Sequence, residues 1–178
     1  ALAALPQKPP VPIALMVSGL WIQRHPVDFA WLKGLAAGGK IAVTWVNHSF
    51  SHFYDPAAPL EKNFLLKPGT NFFSEVLSLE MLLLDSDLLP SPFFRFPGLV
   101  SNQRLIEALR GLHLIPIGSN AWLAKGEMPQ PGSVILVHAN GNEPEGIRLF
   151  HAFLAGQREA FRRGDVMLLP LREAFRPR

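Results

Sequence analysis

His48 and His52 stand four residues apart in Val46-Asn47-His48-Ser49-Phe50-Ser51-His52, directly after an apolar run. On a helical turn that spacing puts both imidazoles on one face, where they converge on a single ion. It is the spacing of a two-histidine metal site, although a pair of ordinary surface or strand-end histidines has the same spacing. Cysteine is absent, so any metal must be held by histidine and carboxylate. Asp55, just after the pair, is a carboxylate that could act as third ligand in a two-histidine hydrolase. Arg95 lies inside the apolar run Phe93-Phe94-Arg95-Phe96-Pro97-Gly98. A guanidinium buried there needs an anion or several acceptors, in a site or in a structural ion pair. His138 closes Val134-Ile135-Leu136-Val137; a lone histidine at a strand end is as a rule simply hydrogen bonded, and only its company makes it a proton donor.

The elements that must position these residues read as alternating short apolar runs and longer amphipathic segments, the pattern of an α/β fold with mostly parallel strands. Strands are expected over Pro12 to Val17, Ile41 to Val46, Phe93 to Phe96, Leu114 to Ile117, Val134 to Val137 and Val166 to Leu169, each bounded by Gly, Pro or Asn. Helices are expected over Val27 to Ala37, Asn71 to Leu84, Asn102 to Arg110 and Glu145 to Arg163. Prolines exclude regular structure from Leu5 to Pro12. Tyr54 to Thr70 reads as a long loop after the histidines, and long loops in compact domains tend to be functional. His48, Arg95 and His138 all fall at or near the carboxyl ends of expected strands, where parallel α/β folds gather ligands and catalytic groups.

The composition narrows the function classes. At 178 residues the chain is sized for one domain with a core of its own. Charged residues make up 17% and apolar residues 48%, which argues for a folded chain. The net charge of +3 is spread too thinly for a nucleic-acid surface, the nearest cluster being Arg158, Arg162 and Arg163. Glu80, Asp85 and Asp87 interrupt the longest leucine-rich stretch, so no membrane span is expected.

Taken in order, these segments resemble the polysaccharide deacetylase family, the NodB-type carbohydrate esterases, over most of the chain. His48-Ser49-Phe50-Ser51-His52 is similar to that family's His-Ser/Thr-x-x-His metal motif, and Asn47 to the residue that often precedes it. Arg95-Phe96-Pro97-Gly98 resembles the arginine-proline motif of the substrate groove, Asn120-Ala121-Trp122 a tryptophan motif, and Leu136-Val137-His138 the Leu-x-His motif. The resemblance implies a distorted, incomplete (β/α) barrel in which residues 1–178 form a single domain. It implies a metal-dependent hydrolase that removes N- or O-linked acetyl groups from an acetylated polysaccharide or oligosaccharide. By that resemblance His48 and His52 hold a divalent metal, commonly zinc, and Arg95 orients the catalytic aspartate. Trp122 and Leu136 then line the pocket for the acetyl methyl, Pro97 belongs to the substrate groove, and His138 is the general acid. Only the resemblance speaks to location, favouring the cell envelope, the periplasm or secretion.

Two departures touch the catalytic machinery. The family closes its first strand with an Asp-Asp pair, base and third metal ligand, whereas the first acidic residue here is Asp28. The segment Pro12 to Trp21 is similar to the family's second strand, so the first strand and both aspartates are expected before residue 1, either lost from the chain or absent in nature. Asn120 stands where the family has an aspartate supporting the general-acid histidine, and an amide cannot support an imidazolium by charge. The alternative function is therefore a catalytically inactive relative that binds glycan or a protein partner in the same groove.

Overall fold

The computed structural model describes residues 9–139 and 141–175. Strand β1 (Val11–Val17), helices α1 (Gly19–Arg24) and α2 (Pro26–Ala37), strand β2 (Ile41–Asn47), helix α3 (Phe72–Asp85), strand β3 (Phe93–Phe94) and helix α4 (Gln103–Gly111) come first. Strands β4 (Ile115–Pro116), β5 (Ala121–Trp122) and β6 (Ile135–Leu136) and helices α5 (Pro144–Gly156) and α6 (Arg158–Arg163) follow. The strands form a four-stranded sheet in the order β1-β2-β3-β4 and a two-stranded sheet of β5 and β6. The pairs β2/β3, β3/β4 and β5/β6 are parallel. Backbone bonds from Val11 N to Lys40 O and from His48 N to Val17 O advance together along β1 and β2, as parallel pairing requires. This is the expected α/β class, and the hydrogen-bonded ring of a closed barrel is not completed among the described residues.

Three segments differ from the sequence reading. Residues 5–8 of the proline-rich lead-in lie outside the described residues, but Val11 and Pro12 already belong to β1. A strand tolerates proline there because β1 is an edge strand of its sheet; Pro116 in β4, at the other edge, is tolerated in the same way. Val166 to Leu169 is not a strand. Met167 and Leu169 are exposed, and an apolar run without a neighbouring strand has no ladder to join. The helix expected over Glu145 to Arg163 divides into α5 and α6 at Gly156 and Gln157, where glycine weakens helix propagation.

The chain divides into two compact units, one of residues 13–37 and 43–117, the other of the described parts of 1–12, 38–42 and 118–178. In the first, α3 buries Phe72, Val76, Leu79 and Leu83, a stripe at helical spacing. Val76 packs with Leu65, Phe94, Phe96, Leu105 and Leu109, while Leu79 and Leu83 pack with Val17, Ile22, Phe29 and Trp45. Helices α3 and α4 of this unit each begin on an asparagine cap. Asn71 Oδ1 accepts from Ser74 N and Asn102 Oδ1 from Leu105 N, each at 3.0 Å, and such caps are worth about 1 kcal/mol. In the second unit Ala121, Leu123, Leu136, Leu154 and Phe161 are buried, with α5 packed on the turn at Leu123–Lys125. Among the described residues no helix is long and apolar enough to cross a membrane.

Candidate functional site

β2 ends at Asn47, and the chain leaves it as an irregular loop instead of the helical turn that the four-residue spacing would use. Ser49 and His52 both have positive φ, 66° and 46°, a region that residues other than glycine seldom adopt. The loop is held there by buried side chains. Asn47 Oδ1 accepts from Ser49 N at 3.0 Å, and Asn47 Nδ2 donates to Val76 O at 3.0 Å and to Glu80 Oε1 at 2.7 Å. Glu75 Oε2 accepts from Ser51 N at 2.8 Å, and Ser49 Oγ accepts from His52 N at 3.2 Å. Helix α3 thus supplies two carboxylates that clamp the loop carrying the histidines. Burial raises the Glu80 carboxyl above the ordinary glutamate value, against the lowering effect of its bond from Asn47.

The loop brings the two rings together. Their centroids are 4.8 Å apart and their planes 56° from parallel. With zinc–nitrogen bonds of about 2.0–2.1 Å and a near-tetrahedral angle, two ligating imidazoles have centroids about 5 Å apart. His48 Nδ1 lies 2.7 Å from Arg95 O. A carbonyl oxygen only accepts, so Nδ1 is the donor and the neutral ring carries its lone pair on Nε2. A metal-ligating histidine is commonly oriented this way. His52 meets the edge of Phe64 at 5.4 Å, and Tyr54 stacks on Phe64 at 5.3 Å.

Arg95 follows β3 directly and donates its backbone N–H to Asn47 O at 2.9 Å, which puts it beside the histidines at the carboxyl ends of adjacent parallel strands. Its side chain is 4% exposed, and Nη1 has no hydrogen-bond partner among the described residues. Burial lowers the guanidinium pKa. No third His, Asp or Glu joins the histidines in a three-ligand group among the described residues. Asp55 instead closes a turn, its carboxylate accepting from Ala57 N at 2.9 Å. The donors therefore fit a divalent metal in kind, but one or two protein ligands short of an ordinary zinc centre.

Pro97 is buried next to Gly98, which has φ 63°, and a Cβ on Gly98 would lie 2.2 Å from Phe64 Cε2. Gly98→Ala therefore combines backbone strain with a clash against the ring that flanks His52. A loss of about 2 kcal/mol is expected in urea denaturation. An unchanged midpoint would show that Phe64 yields freely.

The other expected site residues gather in the second unit. Trp122 and Leu136 are register partners across β5 and β6, so their side chains leave the same face of that pair. Trp122 and His138 have ring centroids 5.4 Å apart, and Lys125 Nζ lies 3.6 Å from the centroid of the Trp122 ring. Asn120 does not serve His138. Its Oδ1 accepts from Val134 N at 2.8 Å and its N donates to Val134 O at 3.3 Å, tying β5 to β6. The carboxylate at His138 is Glu143, whose Oε2 lies 2.6 Å from Nδ1 and accepts from Trp122 Nε1 at 2.8 Å. Sequence reasoning missed it; the available signal was a glutamate five residues beyond the histidine. A groove of about 570 Å³ between residues 65–73 and the start of α4 is lined by none of the expected site residues.

No family model matches the sequence. The fold does match solved structures. A family 4 carbohydrate esterase from Bacillus anthracis shares 20% identity over 92% of this chain and 69% of that one, with a TM-score of 0.61. The peptidoglycan N-acetylglucosamine deacetylase Bc1960 shares 15% identity over 93% of this chain and 75% of that one, at 0.63. A mutant of BA3943, a CE4 family pseudoenzyme with restored enzymatic activity, shares 14% identity over 83% of this chain and 53% of that one, at 0.52. The chain has the fold of the family 4 carbohydrate esterases, in agreement with the resemblance carried by its motifs.

Proposed function

We propose that this protein is a metal-dependent hydrolase that removes N- or O-linked acetyl groups from a carbohydrate. The observation that carries the reading is the histidine pair: two rings 4.8 Å apart at the end of β2, with His48 fixed through Nδ1 to Arg95 O. His48 and His52 would hold a divalent metal, zinc being the first choice for two imidazoles with an oxygen ligand. When bound, the metal acts as a Lewis acid on the acetyl carbonyl and lowers the pKa of a bound water. In this reading Arg95 would position a carboxylate base brought to the site, His138 would protonate the departing group, and Trp122, Leu136 and Pro97 would contact substrate. The solved relatives of like fold include deacetylases of peptidoglycan sugars, which supports an acetylated glycan as substrate.

Acetate release from chitooligosaccharide and acetylated xylan tests the proposal. A chain extended upstream by a strand ending in two aspartates is expected to turn over, and residues 1–178 alone about 10²- to 10⁴-fold more slowly, the usual contribution of general base catalysis. His48→Ala in the extended chain removes the activity and, in calorimetric titration, the zinc binding. Turnover by the extended chain that survives His48→Ala would end the metal reading. The unpartnered Arg95 Nη1 favours one second reading, an inactive domain that keeps glycan binding through the same residues. Under that reading neither form releases acetate, and both bind the oligosaccharide.

A further inference from the structure

We propose that Glu143 is the positioning residue of His138, holding the imidazole proton on Nδ1 and the basic lone pair on Nε2. The inference rests on the reading of His138 as general acid for its catalytic meaning, but on geometry alone for its content. Glu143 Oε2 is 2.6 Å from His138 Nδ1 and accepts from Trp122 Nε1 at 2.8 Å. One carboxylate oxygen thus orients both the histidine and the indole beside it. Although partial burial raises its pKa, the bonds from Trp122 and His138 and the charges of His138 and Lys125 together hold the carboxyl below the ordinary glutamate value. At neutral pH it is an ionised acceptor, and an ionised acceptor at Nδ1 admits only the Nδ1–H tautomer.

A purely structural role for this glutamate is available and is not the one it takes. Glu143 is the N-cap residue of α5, where a side-chain oxygen that reached back could accept a backbone N–H of the first turn. Its side chain makes no capping bond, and the carboxylate turns to His138 and Trp122 instead. Asn120 is engaged with Val134 on both its backbone and its side chain. A carboxylate–histidine pair therefore exists in this chain, with the acid supplied from five residues downstream on the cap of the following helix. With Nδ1 held by Glu143, Nε2 carries the lone pair through which the ring exchanges a proton with a reacting group.

Long-range ¹H–¹⁵N NMR of the imidazole nitrogens tests this without substrate, metal or turnover, at a pH where the ring is neutral. The wild-type chain is expected to show His138 as the Nδ1–H tautomer. Glu143→Gln, whose amide oxygen still accepts, keeps that tautomer. Glu143→Ala moves the tautomer ratio toward Nε2–H by about tenfold or more, since only one tautomer makes the charge-assisted bond. The Trp122 indole N–H resonance moves upfield with it, reporting the loss of the shared acceptor. An Nε2–H tautomer in the wild type, or an Nδ1–H tautomer unchanged in a folded Glu143→Ala, overturns the proposal; the wild-type measurement decides it even where the alanine variant does not fold. Absence of acetate release would count against the hydrolase reading and leave this result standing.

Discussion

Arg95→Met is expected to raise the stability of residues 1–178 by about 1–3 kcal/mol while ending any hydrolysis the site performs. Arg95 is 4% exposed, and Nη1 has no partner among the described residues. A buried donor left unsatisfied costs about 1–3 kcal/mol, and more when it belongs to a charged group. Methionine keeps much of the buried apolar stem and removes the charge. Replacement of buried charges by well-packed apolar side chains is known to be neutral or stabilising by about 1–4 kcal/mol. The measurement is the urea midpoint at unchanged m-value. A loss of stability of similar size would show that a carboxylate or other anion already satisfies the guanidinium. The expected opposition between stability and activity is what marks Arg95 as a site residue: a core position would show no conflict.

Asn47→Ala is expected to lower stability by about 3 kcal/mol and, with it, the metal affinity proposed for the histidine pair. The side chain is 1% exposed and makes bonds to Val76 O, Glu80 Oε1 and Ser49 N. Alanine leaves those groups without their partner, at about 1–3 kcal/mol for each one that water cannot reach. Ser49 N–H anchors the left-handed turn that puts His48 and His52 side by side, so the zinc affinity proposed for that pair would fall with the loop. The loss is also pH dependent. Burial holds the Glu80 carboxyl above the ordinary value, and the bond from Asn47 is the influence that opposes it. A carboxyl with a raised pKa binds its proton more tightly in the folded state, so its penalty is present above the folded pKa and is relieved as pH falls through it. The deficit of Asn47→Ala should therefore be larger at neutral than at acid pH. Equal deficits at both would remove Glu80 from the account, and a variant as stable as wild type would refute the clamp itself.

The amino-acid pattern by itself determined the α/β class, the places of β1 and β2, and the helices α2, α3 and α4 to within two residues. Those segments carry their own instruction: the stripe Phe72, Val76, Leu79, Leu83, the asparagine caps at Asn71 and Asn102, and apolar runs closed by Gly, Pro or Asn are all local in the chain. The sequence also placed His48 and Arg95 at strand ends and singled out Trp122, Leu136 and His138, because short motifs lie within one reach of the chain. It could not supply what depends on distant partners. The spacing of His48 and His52 reads as a helical turn, yet the chain there takes two positive φ values, since Asn47, Glu75 and Glu80 offer the loop hydrogen bonds that a helix would forgo. Val166 to Leu169 has the composition of a strand but no strand to pair with. Asn120 looked like a failed support for His138 because one-dimensional reading compares like positions, whereas a carboxylate acts through distance, and only the tertiary approach of Glu143 to His138 and to Trp122 of β5 put its carboxylate on Nδ1. Hydrogen-bond partners across the chain are chosen by which groups packing brings within about 3 Å, and that choice belongs to the tertiary structure.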